Sequence, residues 1–179
     1  MATQVTIHVG NILHQTDCDA LVNSANERLR AGSGVCGAIH GAAGPELEAC
    51  SSKLAPLALS ATVITPGFRL PNPWVIHVRG PKYLFDDDPP AALALAMRNV
   101  IELADSQGLK RIAVPAISTG VYGYPMAEAA QVLVATAKSC AADCVNLEEI
   151  RFVVVTQKAE QDFMPIPAAR SPLVASRVG

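Results

Sequence analysis

Short runs of β-branched and other apolar residues alternate along this chain with longer alanine-rich stretches. This alternation is typical of strands joined by crossover helices around a largely parallel sheet. One run, residues 112–117, is apolar throughout, which favours burial on both faces of the sheet. The sequence therefore predicts an α/β fold, a three-layer αβα sandwich with a mixed, mostly parallel central sheet of about six strands. The predicted strands cover residues 5–9, 20–24, 61–65, 74–78, 111–115 and 150–156.

Stretches with helical spacing fill the gaps between the predicted strands. The first helix is expected at residues 37–50 and the third at about 125–142. The second begins at Asp88, whose carboxylate can accept hydrogen bonds from the first amides while Pro89 takes the first helical position. Because ligands of such folds bind outside the carboxyl ends of parallel strands, we expect a site in the loops that follow the strands.

The length and the charge of the chain limit the functions that it can have. Its 179 residues, 50% of them hydrophobic, suit one ordinary domain. We expect that domain to cover residues 1–163, followed by a C-terminal extension at 164–179 that contains three prolines. The net charge of −2 argues against general nucleic-acid binding, so any bound phosphate is expected to be held by backbone amides and helix ends.

The cysteines and the hydropathy of the chain indicate its compartment. Five cysteines without a Cys-x-x-Cys pair predict reduced thiols in the cytoplasm. The sequence opens without a basic segment leading into an apolar run, and no apolar stretch approaches the roughly 18 residues of a membrane span. We therefore expect a cytoplasmic protein that does not contact membranes. The cysteines are Cys18, Cys36, Cys50, Cys140 and Cys144.

Two asparagines stand near the end of the predicted strand 20–24. Asn23 and Asn26 lie three residues apart, and each carboxamide both donates and accepts hydrogen bonds. Both roles suit a sugar diol, which also donates and accepts. The alternative is that these asparagines form an ordinary turn.

A glycine-rich segment at residues 31–44 runs from a loop into the first predicted helix. Its glycines allow backbone amides to approach a phosphate closely, and the helix start adds aligned N–H groups. The segment lacks the Gly-Lys-Ser/Thr ending of nucleoside triphosphatases and the third glycine of the dinucleotide fingerprint. A loop that holds no ligand is the alternative.

A second glycine-rich segment, residues 114–125, also leads from a buried strand into a helix. If the two loops face each other, they can hold a diphosphate from both sides with amides and with the hydroxyls of Ser118 and Thr119. The ring of Tyr122 can then form a wall against a ribose. A tight hinge whose tyrosines pack on the core is the alternative.

Four segments, in this order along the chain, resemble the macro domain family and its MacroD-type enzymes in particular. They are Asn-Ser-Ala-Asn at 23–26, Gly-Ser-Gly-Val-Cys-Gly-Ala-Ile-His-Gly-Ala-Ala-Gly at 32–44, His-Val-Arg-Gly-Pro at 77–81 and Pro-Ala-Ile-Ser-Thr-Gly-Val-Tyr-Gly-Tyr-Pro at 115–125. The resemblance extends from about residue 5 to about residue 156. It implies a cleft that binds ADP-ribose without a cofactor or a metal ion.

The resemblance also implies roles for individual residues. Asn26 would hold the distal ribose of ADP-ribose, and the ring of Tyr122 would lie against that ribose. His40 stands where MacroD-type enzymes carry a histidine one helical turn beyond a functional aspartate. These three are the expected catalytic residues. The expected ligand-binding residues are Asn11, Ile12, Asn23, Asn26, Gly34, Val35, Cys36, Gly37, Ser118, Thr119, Gly120, Val121 and Tyr122.

Two residues depart from the family pattern. Cys36 stands where the MacroD-type pattern has an aspartate that orients or activates the attacking water, and a thiol with an ordinary pKa of about 8.5 is mostly neutral at pH 7. Some macro domains without this aspartate are hydrolases, with the ligand's own phosphate implicated in positioning the water. Asn11 stands where the family usually has an aspartate that accepts a hydrogen bond from the adenine amino group.

Three functions are compatible with these residues. The leading hypothesis is a metal-independent hydrolase that releases ADP-ribose from an acidic side chain, or the acetyl group from O-acetyl-ADP-ribose. The rival is a module that binds ADP-ribose or a related nucleotide without turnover, which Cys36 favours. The third is a zinc site or a nucleophile–base pair at Cys36 and His40. Under the first two we expect a monomer whose partners are ADP-ribose, ADP-ribosylated proteins or O-acetyl-ADP-ribose.

Overall fold

The structure is a computed structural model and describes residues 2–164. Strands and helices alternate along this part of the chain, with 3-10 turns at Ile12–His14 and Ser52–Leu54. The predicted C-terminal extension lies outside the described residues except for Met164. The strands are β1 Gln4–Val9, β2 Ala20–Ser24, β3 Thr62–Pro66, β4 Trp74–Val78, β5 Arg111–Val114 and β6 Glu149–Val154. The helices are α1 Gly34–Ala43, α2 Pro45–Ser51, α3 Pro89–Ser106, α4 Met126–Ala141 and α5 Gln157–Phe163.

All six strands form one sheet in the order β1-β6-β5-β2-β4-β3. Every neighbouring pair is parallel except β3 and β4, which are antiparallel. The connection between β3 and β4 is too short for a crossover helix, so β4 has to return beside β3 in the opposite direction. The predicted mixed, mostly parallel sheet of six strands is confirmed.

Alternate residues of the central strands pack on opposite faces of the sheet. Val22 and Ile112 belong to a core shared with α3, α4 and α5, whereas Leu21 and Ala113 belong to a core shared with α1 and α2. All four side chains are fully buried. Helices therefore cover both faces, as the apolar run in β5 predicted, and the three-layer sandwich is confirmed.

Helix α3 begins as the sequence predicted. The Asp88 Oδ1 atom accepts a hydrogen bond from the Ala91 N–H at 3.4 Å, and Pro89 takes the first helical position. Leu93 and Met97, which lie four residues apart, are fully buried against the sheet. Helical spacing of apolar residues thus identified the buried face of this helix.

The single helix predicted at residues 37–50 is wrong, because the chain forms α1 and α2 there. Gly44 ends α1 with a φ of 88°, a conformation that strains other residues. Pro45 then begins α2. Proline is favoured at this position because the first N–H groups of a helix have no partner within it, so the N–H that proline lacks costs no hydrogen bond. Helix α1 also begins earlier than predicted, at Gly34.

The ends of β5 and β6 also differ from the prediction. Strand β5 ends at Val114, because Pro115 has no N–H to donate to the sheet. Strand β6 ends at Val154, and Thr156 caps the unpredicted helix α5 by accepting a hydrogen bond from the Ala159 N–H at 3.1 Å. A helix of 7 residues carries too short a periodic pattern to be recognised in the sequence.

The chain leaves β2 and β5, neighbours at the centre of the sheet, toward opposite faces. Strand β2 leads into α1 on one face, and β5 leads into α4 on the other. Where neighbouring parallel strands diverge in this way, their carboxyl ends leave a crevice in which ligands bind. The segments that follow Ser24 and Val114 are therefore the place for a site.

Candidate functional site

A groove of about 620 Å³ opens at this crevice. One wall is the first loop, residues 24–36, which links β2 to the start of α1. The opposite wall is the second loop, residues 115–122, which follows β5, and the carboxyl end of β6 completes the groove. The two glycine-rich segments thus face each other. The described lining residues are Ser24, Ala25, Asn26, Gly32, Ser33, Gly34, Val35, Cys36, Pro115, Ala116, Ser118, Thr119, Gly120, Val121, Tyr122, Met126, Val153, Val154 and Val155.

The walls of the groove carry no charged side chain among the residues that the structure describes. The described lining contains no Asp, Glu, His, Lys or Arg. An anion in the groove would therefore be held by main-chain N–H groups and by hydroxyls. Such donors bind a phosphate without adding formal charge, which agrees with the small net charge of the chain.

The first loop ends at the N-terminus of α1, where amides are free to bind a ligand. The first amides of a helix have no partner within the helix, and the Ser33 side chain does not cap them. Gly34 has a φ of 59°, which favours glycine. A Cβ at Gly37 would overlap the Gly32 carbonyl oxygen, so this glycine lets the loop fold tightly onto the helix. Gly37 supports the loop from behind and does not line the groove.

The second loop is held in a strained conformation beside β2. Ser118 has a φ of 70°, an unusual value for a residue other than glycine, and such strain costs on the order of 1 kcal/mol. Its N–H donates to the Ser24 Oγ atom at 3.4 Å, and its carbonyl accepts from the Tyr124 N–H at 3.0 Å. The Ser118 hydroxyl is buried and has no partner among the described residues. Thr119 Oγ1 donates to the Ala116 carbonyl at 2.7 Å.

Tyr122 forms the side of the groove at the end of the second loop. Its ring lines the groove, and the Lys82 Nζ atom lies 5.5 Å from the ring centroid. Burial raises the pKa of the Tyr122 phenol, so the hydroxyl remains a neutral donor at physiological pH. Tyr122 can therefore pack against a ligand and donate a hydrogen bond to it.

Asn26 lines the groove from the first loop with its carboxamide already fixed. Its Nδ2 atom donates to the Arg30 carbonyl at 2.8 Å, and its Oδ1 atom accepts from the Arg30 N–H at 3.2 Å. These two bonds close the turn at 26–30 and hold the amide plane in place. One N–H and one oxygen lone pair remain available for a ligand.

Cys36 lines the groove as a neutral thiol. The residue is 6% exposed, and its Sγ atom donates to the Arg30 carbonyl at 3.4 Å. Burial raises the pKa of the Cys36 thiol, which disfavours the thiolate needed for nucleophilic attack. Within the described part of the chain, no three His, Cys, Asp or Glu side chains cluster as metal ligands would.

Asn23 lies behind the groove in a buried polar chain. Its Nδ2 atom contacts the His77 Nδ1 atom at 3.1 Å, and the His77 Nε2 atom lies 2.9 Å from Thr65 Oγ1. Burial lowers the pKa of His77 to about 3, so the ring is neutral. Because the Asn23 amide donates to Nδ1, Nε2 carries the proton and donates to Thr65. Asn23 thus contacts other protein groups and does not line the groove.

His40 is also placed behind the groove. Its side chain is 6% exposed, and its ring centroid lies 6.4 Å from that of His77. Neither ring nitrogen has a hydrogen-bond partner among the described residues, and burial lowers the pKa of His40. The imidazole is therefore neutral and does not reach the groove surface.

Asn11 and Ile12 do not line the groove, but they follow Gly10, whose N–H donates to the carbonyl of the lining residue Val154 at 2.8 Å. The Asn11 Oδ1 atom accepts from the Leu13 N–H at 2.9 Å and caps the 3-10 turn, while Ile12 is buried in the core beneath α1. The wall next to them is formed by residues 153–155, which sequence reasoning missed. Apolar side chains carry no chemical signature, but their position at the carboxyl end of a parallel strand was available as a signal.

No helix within residues 2–164 is both long enough and apolar enough to cross a lipid bilayer. This finding concerns helices of the described part of the chain alone.

Comparison with known protein sequences places this chain in a family. The family model "Macro domain" matches residues 22–133. A macro domain-containing protein of Ralstonia nicotianae is 47% identical over 137 residues, which cover 75% of this chain and 78% of that protein. Another, from Streptomyces coelicolor, is 38% identical over 167 residues, which cover 90% of this chain and 96% of that protein.

Solved structures agree with this assignment. The Oceanobacillus iheyensis macrodomain with ADP has a TM-score of 0.86 and 34% identity, over 90% of this chain and 88% of that chain. The Trypanosoma brucei macrodomain in complex with ADP-ribose has a TM-score of 0.79 and 31% identity, over 89% of this chain and 67% of that chain. The family model, the relatives and the solved structures agree, and the chain belongs to the macro domain family.

Proposed function

We propose that the groove binds ADP-ribose and that the diphosphate lies between the first and second loops. The observation that carries this proposal is the pair of facing loops, with the free amides of α1 on one side and Ser118 to Tyr122 on the other. A groove of about 620 Å³ is the size of an ordinary small-molecule site. Two similar solved structures, the Oceanobacillus iheyensis macrodomain with ADP and the Trypanosoma brucei macrodomain in complex with ADP-ribose, support this proposal.

Asn26 and Tyr122 keep their predicted roles in this proposal. Both line the groove, and both can donate a hydrogen bond to a sugar hydroxyl. The distal ribose would lie against the Tyr122 ring, with its C1″ carbon oriented by Asn26. The apolar end formed by residues 153–155 and Met126 would then take the base.

Hydrolysis of an ester-linked ADP-ribosyl group is the reaction that this arrangement suits, as in the MacroD-type subgroup. The oxygen of a water molecule bonds to C1″ while the bond from C1″ to the oxygen of the acidic side chain breaks, and the carboxylate leaves. Since no ionisable base apart from the neutral Cys36 thiol and the Tyr122 phenol lines the described groove, a phosphate oxygen of the ligand accepts the proton of the water. Release of the acetyl group from O-acetyl-ADP-ribose would use the same site.

His40 has only an indirect part in this scheme. It lies one helical turn beyond Cys36 and is buried behind the groove. A neutral imidazole there supports the packing of α1, and through it the position of the free amides. We therefore assign His40 a positioning role.

Calorimetric titration with ADP-ribose, ADP and AMP tests the binding proposal. We expect ADP-ribose to bind more tightly than ADP, because only ADP-ribose has the distal ribose that Asn26 and Tyr122 contact. We expect AMP to bind most weakly, because it spans only part of the two loops. Equal affinities for ADP-ribose and AMP would contradict the proposed placement of the diphosphate.

A binding module without turnover is the second candidate, and the neutral, buried Cys36 favours it. A glutamate-linked mono-ADP-ribosylated peptide distinguishes the two when it is incubated with the wild type, Cys36→Asp and Cys36→Ser. Release by the wild type and by Cys36→Ser supports the hydrolase, since neither side chain provides a base. Release by Cys36→Asp alone supports the binding module.

A further inference from the structure

The turn at residues 82–88, called the mouth turn below, presents two large apolar side chains to solvent. Leu84 is 83% exposed and Phe85 is 84% exposed. Val121, in the second loop, is 83% exposed as well. Single exposed apolar residues are common, but a cluster beside a binding groove marks a surface for a partner.

The mouth turn is held in place by hydrogen bonds. The Asp86 Oδ2 atom accepts from the Lys82 N–H at 2.7 Å, and the Phe85 N–H donates to the Lys82 carbonyl at 3.1 Å. The Tyr83 hydroxyl donates to the Glu128 Oε2 atom at 2.8 Å. Leu84 and Phe85 are thus presented on a fixed turn, which lowers the entropy lost when a partner binds.

The mouth turn is continuous with the end of the groove that Tyr122 forms. The Tyr83 N–H donates to the Tyr122 carbonyl at 2.9 Å, so the turn and the second loop lie side by side. The Lys82 Nζ atom lies over the ring of Tyr122 itself. Leu84 follows Tyr83 in the chain and Val121 precedes Tyr122, so each is next to one partner of this hydrogen bond.

The charge of the mouth turn is negative. Asp86, Asp87 and Asp88 follow the apolar pair directly, and Lys82 is the one basic residue of the turn. The Asp87 carboxylate is exposed and accepts no hydrogen bond from the described residues. A basic partner is therefore favoured over an acidic one.

We propose that the mouth turn, with Val121, binds the polypeptide that carries the ADP-ribosyl group, and selects segments with a basic and an apolar residue beside the modified side chain. The inference rests on the proposed function, in which the distal ribose lies at Tyr122. The attached polypeptide then leaves the groove beside Leu84 and Phe85. Asp87 attracts its basic residue, and the exposed apolar side chains bury its apolar residue.

Two peptides that carry the same ADP-ribosyl group through a hydrolysis-resistant linkage test the proposal. One has Lys and Leu beside the modified residue, and the other has Glu and Gly. Calorimetry gives their dissociation constants alongside that of free ADP-ribose. We expect the Lys-Leu peptide to bind about tenfold more tightly than free ADP-ribose, and the Glu-Gly peptide to gain nothing.

Variants test whether the mouth turn supplies the gain in affinity of the Lys-Leu peptide over free ADP-ribose. The double variant Leu84→Ser with Phe85→Ser is expected to abolish the gain and to leave the affinity for free ADP-ribose unchanged. Asp87→Asn is expected to reduce the gain at low salt. Val145→Ser is the matched control, because Val145 is 85% exposed but lies beside Asp105, away from the second loop. Its affinities should match those of the wild type.

Three results would overturn the inference. If free ADP-ribose and both peptides bind with equal affinity, the mouth turn does not bind the polypeptide, and the proposed function is unaffected. Failure of ADP-ribose itself to bind contradicts the proposed function, and the inference with it. A wild type that sediments as a dimer, and becomes a monomer in the double variant, assigns the surface to a second copy of the chain.

Discussion

Single side chains in this molecule divide into those that face the groove and those that support it from behind. Asn26, Cys36 and Tyr122 line the groove, whereas Asn23 and His40 are buried behind it. The supporting group is polar but neutral, because burial lowers the pKa of both histidines. The chemistry open to the groove is therefore that of amides, hydroxyls, the neutral Cys36 thiol and the ligand itself.

We expect Asn26→Ala to weaken ADP-ribose binding by about tenfold, because it removes the hydrogen bond that we propose to the distal ribose and frees the turn at 26–30. ADP binding should fall less, since ADP lacks that ribose. Calorimetry of both ligands measures the difference. Asn99→Ala is the matched control, because Asn99 also donates one bond to a main-chain carbonyl, that of Ser60 at 2.8 Å, but far from the groove.

His77 makes the stability of the fold depend on pH. Its folded pKa is about 3 and its ordinary value is 6.5, so between these values the unfolded chain binds a proton that the native chain does not. The free energy of unfolding should therefore be highest above pH 6.5 and fall as the pH drops toward 3. Urea denaturation at several pH values in this range gives the slope of the unfolding free energy against pH, which should be shallower for His77→Gln than for the wild type. Identical slopes for the two proteins would contradict a neutral, buried His77 ring.

The segments of the site were predictable from the sequence, but the orientation of each side chain was not. Glycines and hydroxyl residues mark a loop that follows a strand, which is how the two loops were identified, and the family resemblance then named Gly34 and Ser118 within them. Whether Asn23 faces a ligand or a buried histidine depends on the partner strand β4, which is remote in sequence. The burial of His40 was not predictable for the same reason, since its spacing from Cys36 gives a shared helix face but not what covers that face.

At the scale of elements, the start of α1 and the two loops determine what the groove can hold. Pattern and capping residues predicted α3 and the core strands because local chemistry sets them. The break at Gly44 and the short helix α5 escaped prediction, since the first interrupts a continuous helical spacing and the second is only 7 residues long.

We expect Gly37→Ala to destabilise the fold by about 1–3 kcal/mol and to weaken ADP-ribose binding, because the added Cβ pushes the Gly32 carbonyl away from α1. Gly41→Ala in the same helix is the matched control. Nothing lies within 4 Å of a Cβ placed there, so this change should stabilise by about 0.5–1 kcal/mol. Chemical denaturation measures both, and equal effects would contradict the role of Gly37.

At the scale of the whole molecule, an uncharged groove lies in a chain whose net charge is only −2. The three-layer arrangement follows from the alternation of strands and helices, and the crevice follows from the divergence of the chain after β2 and β5. Neither depends on a cluster of basic residues. The fold thus presents uncapped amides at the groove by geometry alone, as the proposed diphosphate site requires.

This arrangement predicts that salt affects ligand binding weakly. Raising NaCl from about 0.05 M to about 0.5 M should change the dissociation constant of ADP-ribose less than about threefold, because the groove contributes dipoles and not ionised side chains. Calorimetry at several salt concentrations measures the slope. A loss of affinity of tenfold or more would indicate that basic side chains, such as Lys82, carry the diphosphate.

Amide chemical shifts in a ¹⁵N–¹H spectrum, recorded during titration with ADP-ribose, test the claim that main-chain N–H groups of both loops hold the diphosphate. We predict the largest shifts at Gly34, Val35 and Cys36, together with Ser118 to Tyr122, and none at residues 98–105 of α3. ADP should shift the same amides. Shifts confined to one loop, or located outside both, would contradict the account.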